Sequence, residues 1–312
     1  MSYSRFICVD GQECKIEDCL KGCRLNGCYN IATGNLWVEA GRCLSKRTLT
    51  AIADQREWKG IPSTTQLLRG TREAYLVIKA DYAVSPMSML FALAGTKVHS
   101  ALEQYTPEGC MSEERLFDGV CSGAFDFYDP YENGGTLYDL KNYGSYAAAK
   151  TLGYSEKRVP NGIYKTGEKK GQTKWKKEIT FDGRKKRFDL AVQLNDYRMK
   201  LEKVKNVPVS NMICEIIVRD GGTYLAQGRG IEQNAYLVPI NRISDQWVSR
   251  FMTTKRDRLI KALETDTMPP PCNPRERWHD TKSNKSAKCL RFCSVCKFCD
   301  YGKSQIEEHG GN

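Results

Sequence analysis

The sequence contains only three histidines among 312 residues, and it has no long apolar run. So few imidazole groups exclude a metal site built mainly from histidine. No segment approaches the roughly 20 consecutive apolar residues that a membrane-spanning helix requires. The opening stretch MSYSRFICVDGQECK also lacks the apolar core of a signal peptide. We therefore expect a cytoplasmic protein.

Cysteine, in contrast, is abundant, with 14 in the chain. A reducing compartment disfavours a disulfide framework, so metal or iron–sulfur ligation is the expected use of these thiols. The cysteines concentrate near both ends of the sequence. This grouping predicts a Cys-rich N-terminal segment (1–60), a folded middle region (61–264) and a C-terminal cysteine region (265–312).

The middle region alternates between helical and extended patterns, which predicts an α/β fold. MSMLFALAGTKVHSALEQY predicts a long buried helix, and FDLAVQLNDYRMKLEKV predicts another helix. GAFDFYD and TLYDLKNY predict antiparallel strands joined at the turn PYENGG. NMICEIIVRD and TYLAQGRGI predict a second hairpin, and ISDQWVSRFMTTKRDRLIKALE predicts an amphipathic helix.

Several polar residues have spacings that would bring them together within these elements. His99 and Glu103 are four residues apart, on one face of the first helix. Asp126 lies in the first strand segment. Asp139 and Lys141 are two residues apart, so they share one face of the next strand. Gln193 and Tyr197 are separated by one turn of the following helix.

Two carboxylates on adjacent strands are suited to hold a hard divalent cation through their oxygen atoms. Such a cation lowers the pKa of its bound water and neutralises charge on a phosphodiester transition state. A nearby lysine can orient the attacking water or stabilise the same charge. A surface ion pair is the alternative interpretation of Asp139 and Lys141, but the apolar context Leu-Tyr-Asp-Leu-Lys favours a buried pair.

The ordered motifs Gly-x-x-x-His-x-x-x-Glu, Gly-x-x-Asp, Asp-x-Lys and Gln-x-x-x-Tyr resemble those of the PD-(D/E)XK nuclease superfamily. Within it, the chain looks most like RecB-like nucleases and the CRISPR-associated RecB-like exonucleases that carry iron–sulfur clusters. The segments PSTTQLLRGTREAYL, AGTKVHSALE and MPPPC…RW…KCLRFCSVCKFC resemble phage and prophage members. The resemblance covers residues 61–300.

This resemblance implies a restriction-endonuclease-like core, that is, a mixed β-sheet flanked by helices, with Cys-rich N- and C-terminal metal-binding appendages. The core would occupy 61–264, with a basic insertion at 142–190. The resemblance also implies roles for individual residues. The implied Mg²⁺ or Mn²⁺ ligands are His99, Asp126, Asp139 and the carbonyl of Leu140, with Lys141 as the catalytic lysine, Glu103 as a helper, and Gln193 and Tyr197 contacting DNA or supporting the site.

The C-terminal spacing Cys289-x3-Cys293-x5-Cys299 resembles half of an iron–sulfur ligand pattern, completed in that family by an upstream cysteine. Local competitors for the fourth position are Cys272 and Cys296, and the N-terminal candidates include Cys19, Cys23 and Cys28. Four thiolates bind either a [4Fe–4S] cluster or Zn²⁺, and the resemblance favours the cluster. The N-terminal run from Cys14 to Cys28 could hold Zn²⁺ itself, contribute one thiolate, or bind no metal.

A strongly basic stretch, residues 165–187, contains ten Lys and Arg against three Asp and Glu. Interleaved aromatic residues suit a phosphate backbone with stackable bases, although a solvated charged loop is the alternative. Asp182-Gly183 predicts a hairpin tip within this stretch. The predicted DNA-binding residues are Lys174, Trp175, Lys176, Lys177, Arg184, Lys185, Lys186 and Arg187.

Together these features predict a divalent-metal-dependent DNA nuclease with a structural iron–sulfur cluster. The expected activity is exonucleolytic, on single-stranded DNA ends, in phage recombination or repair. One alternative is an end-trimming nuclease for CRISPR spacer acquisition, with a recombination protein or an integrase as its partner. Another alternative is a non-catalytic, Zn-stabilised DNA-binding protein.

Overall fold

The computed structural model describes residues 3–25, 28–29, 36–38, 42–183 and 187–310. The helices are α1 Ile16–Lys21, α2 Lys46–Ala53, α3 Thr64–Leu67, α4 Thr71–Lys79, α5 Pro86–Glu103, α6 Ser145–Leu152, α7 Phe188–Lys200, α8 Tyr224–Gln227, α9 Asp245–Glu264, α10 Ala287–Arg291 and α11 Asp300–His309, with a π-helical turn at Leu201–Lys205 and a 3-10 turn at Cys296–Phe298. Among the helices in these ranges, none combines the length and apolarity needed to cross a bilayer.

The strands are short except in two regions. They are β1 Arg5–Ile7, β2 Glu13–Lys15, β3 Cys28–Tyr29, β4 Leu36–Val38, β5 Ala83–Val84, β6 Met111–Ser112, β7 Arg115–Phe117, β8 Ser122–Ala124, β9 Phe127–Asp129, β10 Thr136–Tyr143, β11 Tyr154–Ile163, β12 Thr173–Phe181, β13 Asn211–Val218, β14 Ala235–Pro239, β15 His279–Asp280 and β16 Lys285–Ser286. Helices and strands alternate along the chain, which confirms the predicted α/β class.

The chain divides into two compact units. Unit 1 comprises Met1–Ala101, Gly119–Ser122 and Ser249–Asn312, and unit 2 comprises Leu102–Asp118 and Gly123–Val248. In unit 1, β1 pairs with β2 in antiparallel and with β5 in parallel orientation. The domain boundaries predicted after residues 60 and 264 stay predictions.

Unit 2 contains a mixed five-stranded sheet with the order β14-β13-β10-β9-β6. The central pair β10 and β13 is parallel, and the pairs β13–β14, β10–β9 and β9–β6 are antiparallel. Alternating buried positions on β13 and apolar residues of α7 form its core. The central members of this core are Tyr128, Leu137, Leu190, Leu194, Cys214 and Ile216. The predicted pairing of GAFDFYD with TLYDLKNY is confirmed.

The second predicted hairpin is wrong in its return strand. Thr223 accepts a hydrogen bond from the backbone N–H of Ala226, which caps α8, so TYLAQ begins a short helix instead of a strand. Ala226 is fully buried in that helix. The strand that pairs with β13 begins later, at Ala235.

The basic hairpin also differs from its prediction. Its strands are β11 and β12, so residues 164–172 form the connecting loop, and Asp182 and Gly183 follow the second strand. The sequence after Gly183 cannot supply a return strand because its apolar residues recur at helical spacing in α7, where Leu190, Leu194 and Tyr197 are buried.

Helix α5 is confirmed, but its predicted burial is wrong. Pro86 is its one buried residue among those described, and Phe91 is 63% exposed. Apolar side chains occur on all sides of this helix, so many of them cannot face one core at the same time. Composition predicted the helix correctly but did not determine its environment.

Candidate active site

One face of β10 carries a row of polar residues in the centre of the unit 2 sheet. Asp139, Lys141 and Tyr143 alternate along the strand, so their side chains share a face. Leu137 precedes them on the same face and belongs to the hydrophobic core. The strand therefore leads from an apolar interior to a polar edge.

Asp139 is fully buried, and its carboxylate contacts two other predicted site residues. Its Oδ2 atom lies 2.5 Å from Nζ of Lys141. Its Oδ1 atom accepts a hydrogen bond of 3.3 Å from Nε2 of Gln193. Oδ2 has no hydrogen-bond partner of suitable geometry among the described residues, although it forms the ion pair. A buried carboxylate oxygen that lacks a hydrogen bond can bind an additional cation.

Lys141 keeps its charge despite its position. Burial disfavours the ammonium form, but attraction to Asp139 and then to Asp126 outweighs burial and raises the pKa of Lys141 above its usual value. The Nζ atom also lies 3.5 Å from the carbonyl oxygen of Leu140. Lys141 is therefore an ammonium donor at neutral pH, not a base.

Asp126 lies immediately before β9, at the point where the β9–β10 ladder ends. The last backbone pair is Phe127 with Tyr138. Beyond it, the Asp126 carboxylate takes the place of a strand partner and accepts a hydrogen bond of 2.6 Å from the backbone N–H of Leu140. This bond holds the carboxylate against β10 between the positions of Asp139 and Lys141.

Helix α7 supplies the residues of the Gln-x-x-x-Tyr motif. Gln193 donates from Nε2 to the hydroxyl oxygen of Tyr197 at 3.0 Å, in addition to its bond with Asp139. Burial, and then the charge of Asp139, raise the pKa of Tyr197 above its usual value. The structure thus brings together five predicted residues: Asp126, Asp139, Lys141, Gln193 and Tyr197.

Sequence reasoning missed two neighbours of this group. Tyr143 continues the alternation of β10, and the guanidinium of Arg187 lies 4.8 Å from the centre of its ring. Cys214 is paired with Asp139 in the parallel register, and burial raises the pKa of its thiol to about 12. The alternation along β10 was the signal for Tyr143, but nothing in the sequence indicated the register of β13.

The two remaining predicted residues, His99 and Glu103, belong to helix α5. His99 lies on α5 within unit 1 and is half-buried. Glu103 is the last residue of the same helix, belongs to unit 2 and is exposed. The metal-ligand role of His99 and the helper role of Glu103 stay predictions.

The predicted DNA-binding residues are found on β12 and at the start of α7. Trp175 is 59% exposed, and Lys176 and Lys177 are exposed beside it. Lys174 is half-buried and lies 5.1 Å from the ring centre of Tyr164. Arg187 is held by Asp189 through bonds of 3.1 and 2.9 Å. Arg184, Lys185 and Lys186 lie outside the described residues.

The C-terminal cysteines form a group within unit 1. A hydrogen bond from the Cys296 thiol lowers the pKa of Cys289, and burial raises the pKa of Cys293 to about 12. Cys289 and Cys272 are both close enough to Cys293 to raise its pKa further. Cys299 accepts a hydrogen bond of 3.5 Å from Nη1 of Arg72.

Two glycines lie directly against thiols of this group. A Cβ atom on Gly70 would lie 2.2 Å from Sγ of Cys272, and one on Gly302 would lie 2.7 Å from Sγ of Cys296. Gly70 also separates α3 from α4. The backbone thus approaches the thiols at positions where any side chain would collide with them.

The N-terminal cysteines have different surroundings. Cys19 and Cys23 line a small cavity of unit 1, whereas the side chain of Cys28 lies outside the described residues. The same cavity is lined by Cys14, which belongs to the run suggested as a Zn²⁺ site, and by Cys8 and Cys43, which the sequence interpretation had not selected as ligands. Their concentration in the first 43 residues was the available signal, because their spacing alone did not pair them.

Comparisons with known proteins give little further information. No family model and no curated protein sequence matches this chain. Among solved structures, one titled "Crystal structure of SSO0001" aligns with 82% of this chain and 94% of its own length. The alignment has a TM-score of 0.40 and 13% sequence identity.

Proposed function

We propose that this protein is a divalent-metal-dependent DNA nuclease with a restriction-endonuclease-like core in unit 2. The observation that carries this proposal is the convergence of Asp126, Asp139 and Lys141 around Leu140 on the central strand. Two carboxylates and an ammonium group in one buried patch have the charges required to bind a cation and a phosphate together.

The residues present fit a Mg²⁺ or Mn²⁺ ion. The buried Oδ2 atom of Asp139 has no hydrogen bond among the described residues, and hard cations prefer carboxylate and carbonyl oxygen ligands. Asp126, Asp139 and the carbonyl of Leu140 would hold the ion. When bound, such an ion supplies an activated water and neutralises charge on the phosphate.

The protein's own residues would orient these groups. Gln193 fixes one oxygen of Asp139, and Tyr197 fixes Gln193 in turn. Lys141 stays protonated because the neighbouring carboxylates raise its pKa. It would therefore donate a hydrogen bond to a phosphate oxygen and stabilise the charge that develops there.

The hairpin β11–β12 is the proposed DNA-binding surface. Arg158 is paired directly with Lys177, and Pro160 with Trp175, so these four side chains share one face. Like charges in directly opposite positions are unfavourable in a sheet, although Glu156 lies 2.8 Å from Lys177. A DNA phosphate on this face would relieve the remaining repulsion, while Trp175 would stack with a base.

We expect Trp175→Ala to weaken binding of a single-stranded oligonucleotide by about 1–3 kcal/mol, or roughly 5- to 150-fold, because a stacked base would be lost. Fluorescence anisotropy measures the dissociation constant. Tyr224→Ala is the matched control, because Tyr224 is 93% exposed in the same unit and lies outside the hairpin. Equal affinities of the two variants would remove the hairpin from the proposed binding surface.

The function is tested with linear and circular single-stranded DNA, incubated with Mg²⁺, with Mn²⁺ or with a chelator. An exonuclease requires free ends, so we expect the linear substrate to be degraded and the circular substrate to remain intact. Cleavage of both would indicate an endonuclease. Tight binding with no cleavage under any metal condition would contradict the nuclease and favour a non-catalytic DNA-binding protein.

We also propose that the C-terminal cysteines bind a structural [4Fe–4S] cluster. Cys289, Cys293 and Cys299 would be ligands, and the proximity of Cys272 to Cys293 supports Cys272 as the fourth. Gly70 lets the backbone approach the Cys272 thiol closely, because a Cβ atom there would lie 2.2 Å from its Sγ atom. Thiolate ligation would tie together segments that contain few buried apolar residues.

Cys293→Ser should remove most of the iron and acid-labile sulfide from protein purified without oxygen, together with its visible absorption, because three thiolates do not retain the cluster well. Cys110→Ser is the control, since Cys110 is half-buried in unit 2 and belongs to neither cysteine group. A colourless, iron-free wild-type protein would overturn the cluster without affecting the nuclease proposal.

A further inference from the structure

Five cysteines of unit 1 surround one cavity near the N-terminus. Cys8 follows β1, Cys14 lies on β2, and Cys19 lies on α1. Cys23 follows α1, and Cys43 lies shortly before α2. The cavity has a volume of about 20 Å³ and is otherwise lined by Val9, Arg24 and Leu25. This space is large enough for one water-sized occupant.

Local structure explains why thiols so far apart in sequence converge. The β1–β2 turn is closed by a 2.8 Å hydrogen bond from Cys8 N to the carbonyl of Gln12. Gly11 permits the turn because its φ is +82°. The strand register pairs Phe6 with Cys14, so Cys8 and Cys14 flank the turn. Helix α1 follows β2 directly and brings Cys19 to the same place.

Three of the other thiols lie near enough to Cys19 to affect its pKa. Burial raises the pKa of Cys19 to about 11, with further contributions, in decreasing order, from Cys14, Cys43 and Cys8. Cys23 lines the same cavity. None of these five cysteines forms a disulfide bond in the structure.

Two arginines lie beside this group. Arg24 hydrogen-bonds the Cys8 sulfur and forms an ion pair with Asp10. Arg42 donates hydrogen bonds to the backbone carbonyl oxygens of Cys19 and Leu20, the latter at 2.9 Å. Four thiolates around one divalent ion carry a net charge of −2, which nearby guanidinium groups stabilise.

We propose that Cys8, Cys14, Cys19 and Cys43 bind one zinc ion as a structural tetrathiolate site. This site is separate from the C-terminal cysteine group and goes beyond the proposed nuclease function. Zinc forms closed four-thiolate sites, and a cavity for a single small occupant suits one ion better than a four-iron cluster. Cys23, which the sequence had suggested as a ligand, lines the site without binding the ion.

The ion would hold together elements that are too short to be stable alone. β1 and β2 have three residues each, and α1 has six. Isolated helices and two-stranded hairpins of this size are not stable in water. Zinc–thiolate bonds would fix the hairpin, α1 and the segment before α2 relative to one another, and binding would release the thiol protons.

The 312-residue protein, purified without oxygen, should contain one zinc per chain by mass spectrometry, in addition to any iron. Cys14→Ser and Cys43→Ser should each lose most of this zinc while their iron content stays at the wild-type level. Cys23→Ser is the matched control and should retain the zinc. Replacement of zinc by Co²⁺ in the wild type should give the absorption bands of tetrahedral cobalt with thiolate ligands.

Wild-type protein without zinc, or disulfides among these five cysteines by alkylation and mass spectrometry, would overturn the site. Loss of zinc from Cys23→Ser but not from Cys43→Ser would overturn the ligand set. If the serine variants do not fold, the wild-type cobalt spectrum decides the matter, because absence of thiolate-to-cobalt charge transfer contradicts the proposal directly.

Discussion

Asp139→Asn should reduce metal-dependent DNA cleavage by at least about 10²–10³-fold, the typical effect of removing one preorganised transition-state-stabilising group. Asparagine has nearly the same shape as aspartate and can keep the bond with Gln193, but it removes the negative charge that would hold the cation. Lys141 would lose its closest counter-ion, which lies 2.5 Å away in the wild type. Initial rates on an end-labelled single strand measure the effect.

The control for this substitution is Glu232→Gln, which neutralises an exposed carboxylate of the same unit. It should cleave DNA at the wild-type rate. Asp139→Asn should still bind the oligonucleotide, because the proposed DNA surface lies on the hairpin. Retention of more than a tenth of the wild-type rate by a folded Asp139→Asn protein would remove Asp139 from the proposed active site.

Asp196→Asn should destabilise unit 2 by about 3 kcal/mol, at the lower end of the cost of breaking a buried ion pair. Lys200 is 1% exposed, and its Nζ atom lies 2.5 Å from Oδ2 of Asp196. Asp118 also contacts Lys200, at 3.3 Å, which lowers the cost. Asp196 and Lys200 lie on α7, the helix that also carries Gln193. The loss of unfolding free energy should appear as a lower urea midpoint.

Asp245→Asn provides a matched comparison, because it also removes a carboxylate from a buried cation of the same helix. Arg198 keeps Glu202 as a partner at 2.6 Å, and the side chain of Asp245 is 59% exposed. We therefore expect a cost below about 1 kcal/mol. If both variants unfold at the same urea concentration, burial of Lys200 does not make its ion pair important for stability.

The sequence predicted the features of the candidate site that depend on local periodicity. The two-residue repeat of a strand places Asp139 and Lys141 on one face, and the helical repeat brings Gln193 next to Tyr197. The turn PYENGG fixed the pairing of β9 with β10. In these cases neighbours in sequence determine the geometry.

Features that depend on distant pairing could not be predicted. The bond from Leu140 to Asp126 arises because the β9–β10 ladder ends one residue earlier, and sequence spacing does not show where a ladder ends. The partner of β12 was placed downstream because Asp-Gly favours a turn, whereas β11 lies upstream. The convergence of Cys8 and Cys43 likewise depends on elements that are far apart in the sequence.

The central claim is tested most directly by titrating Mg²⁺ or Mn²⁺ into chelator-treated wild-type protein with an end-labelled single strand. Our account predicts no cleavage before metal is added, cleavage that rises and saturates with metal, and no recovery in Asp126→Asn or Asp139→Asn under the same conditions. Cleavage that persists in the chelator, or that both variants retain, would contradict a metal centre built from these two carboxylates.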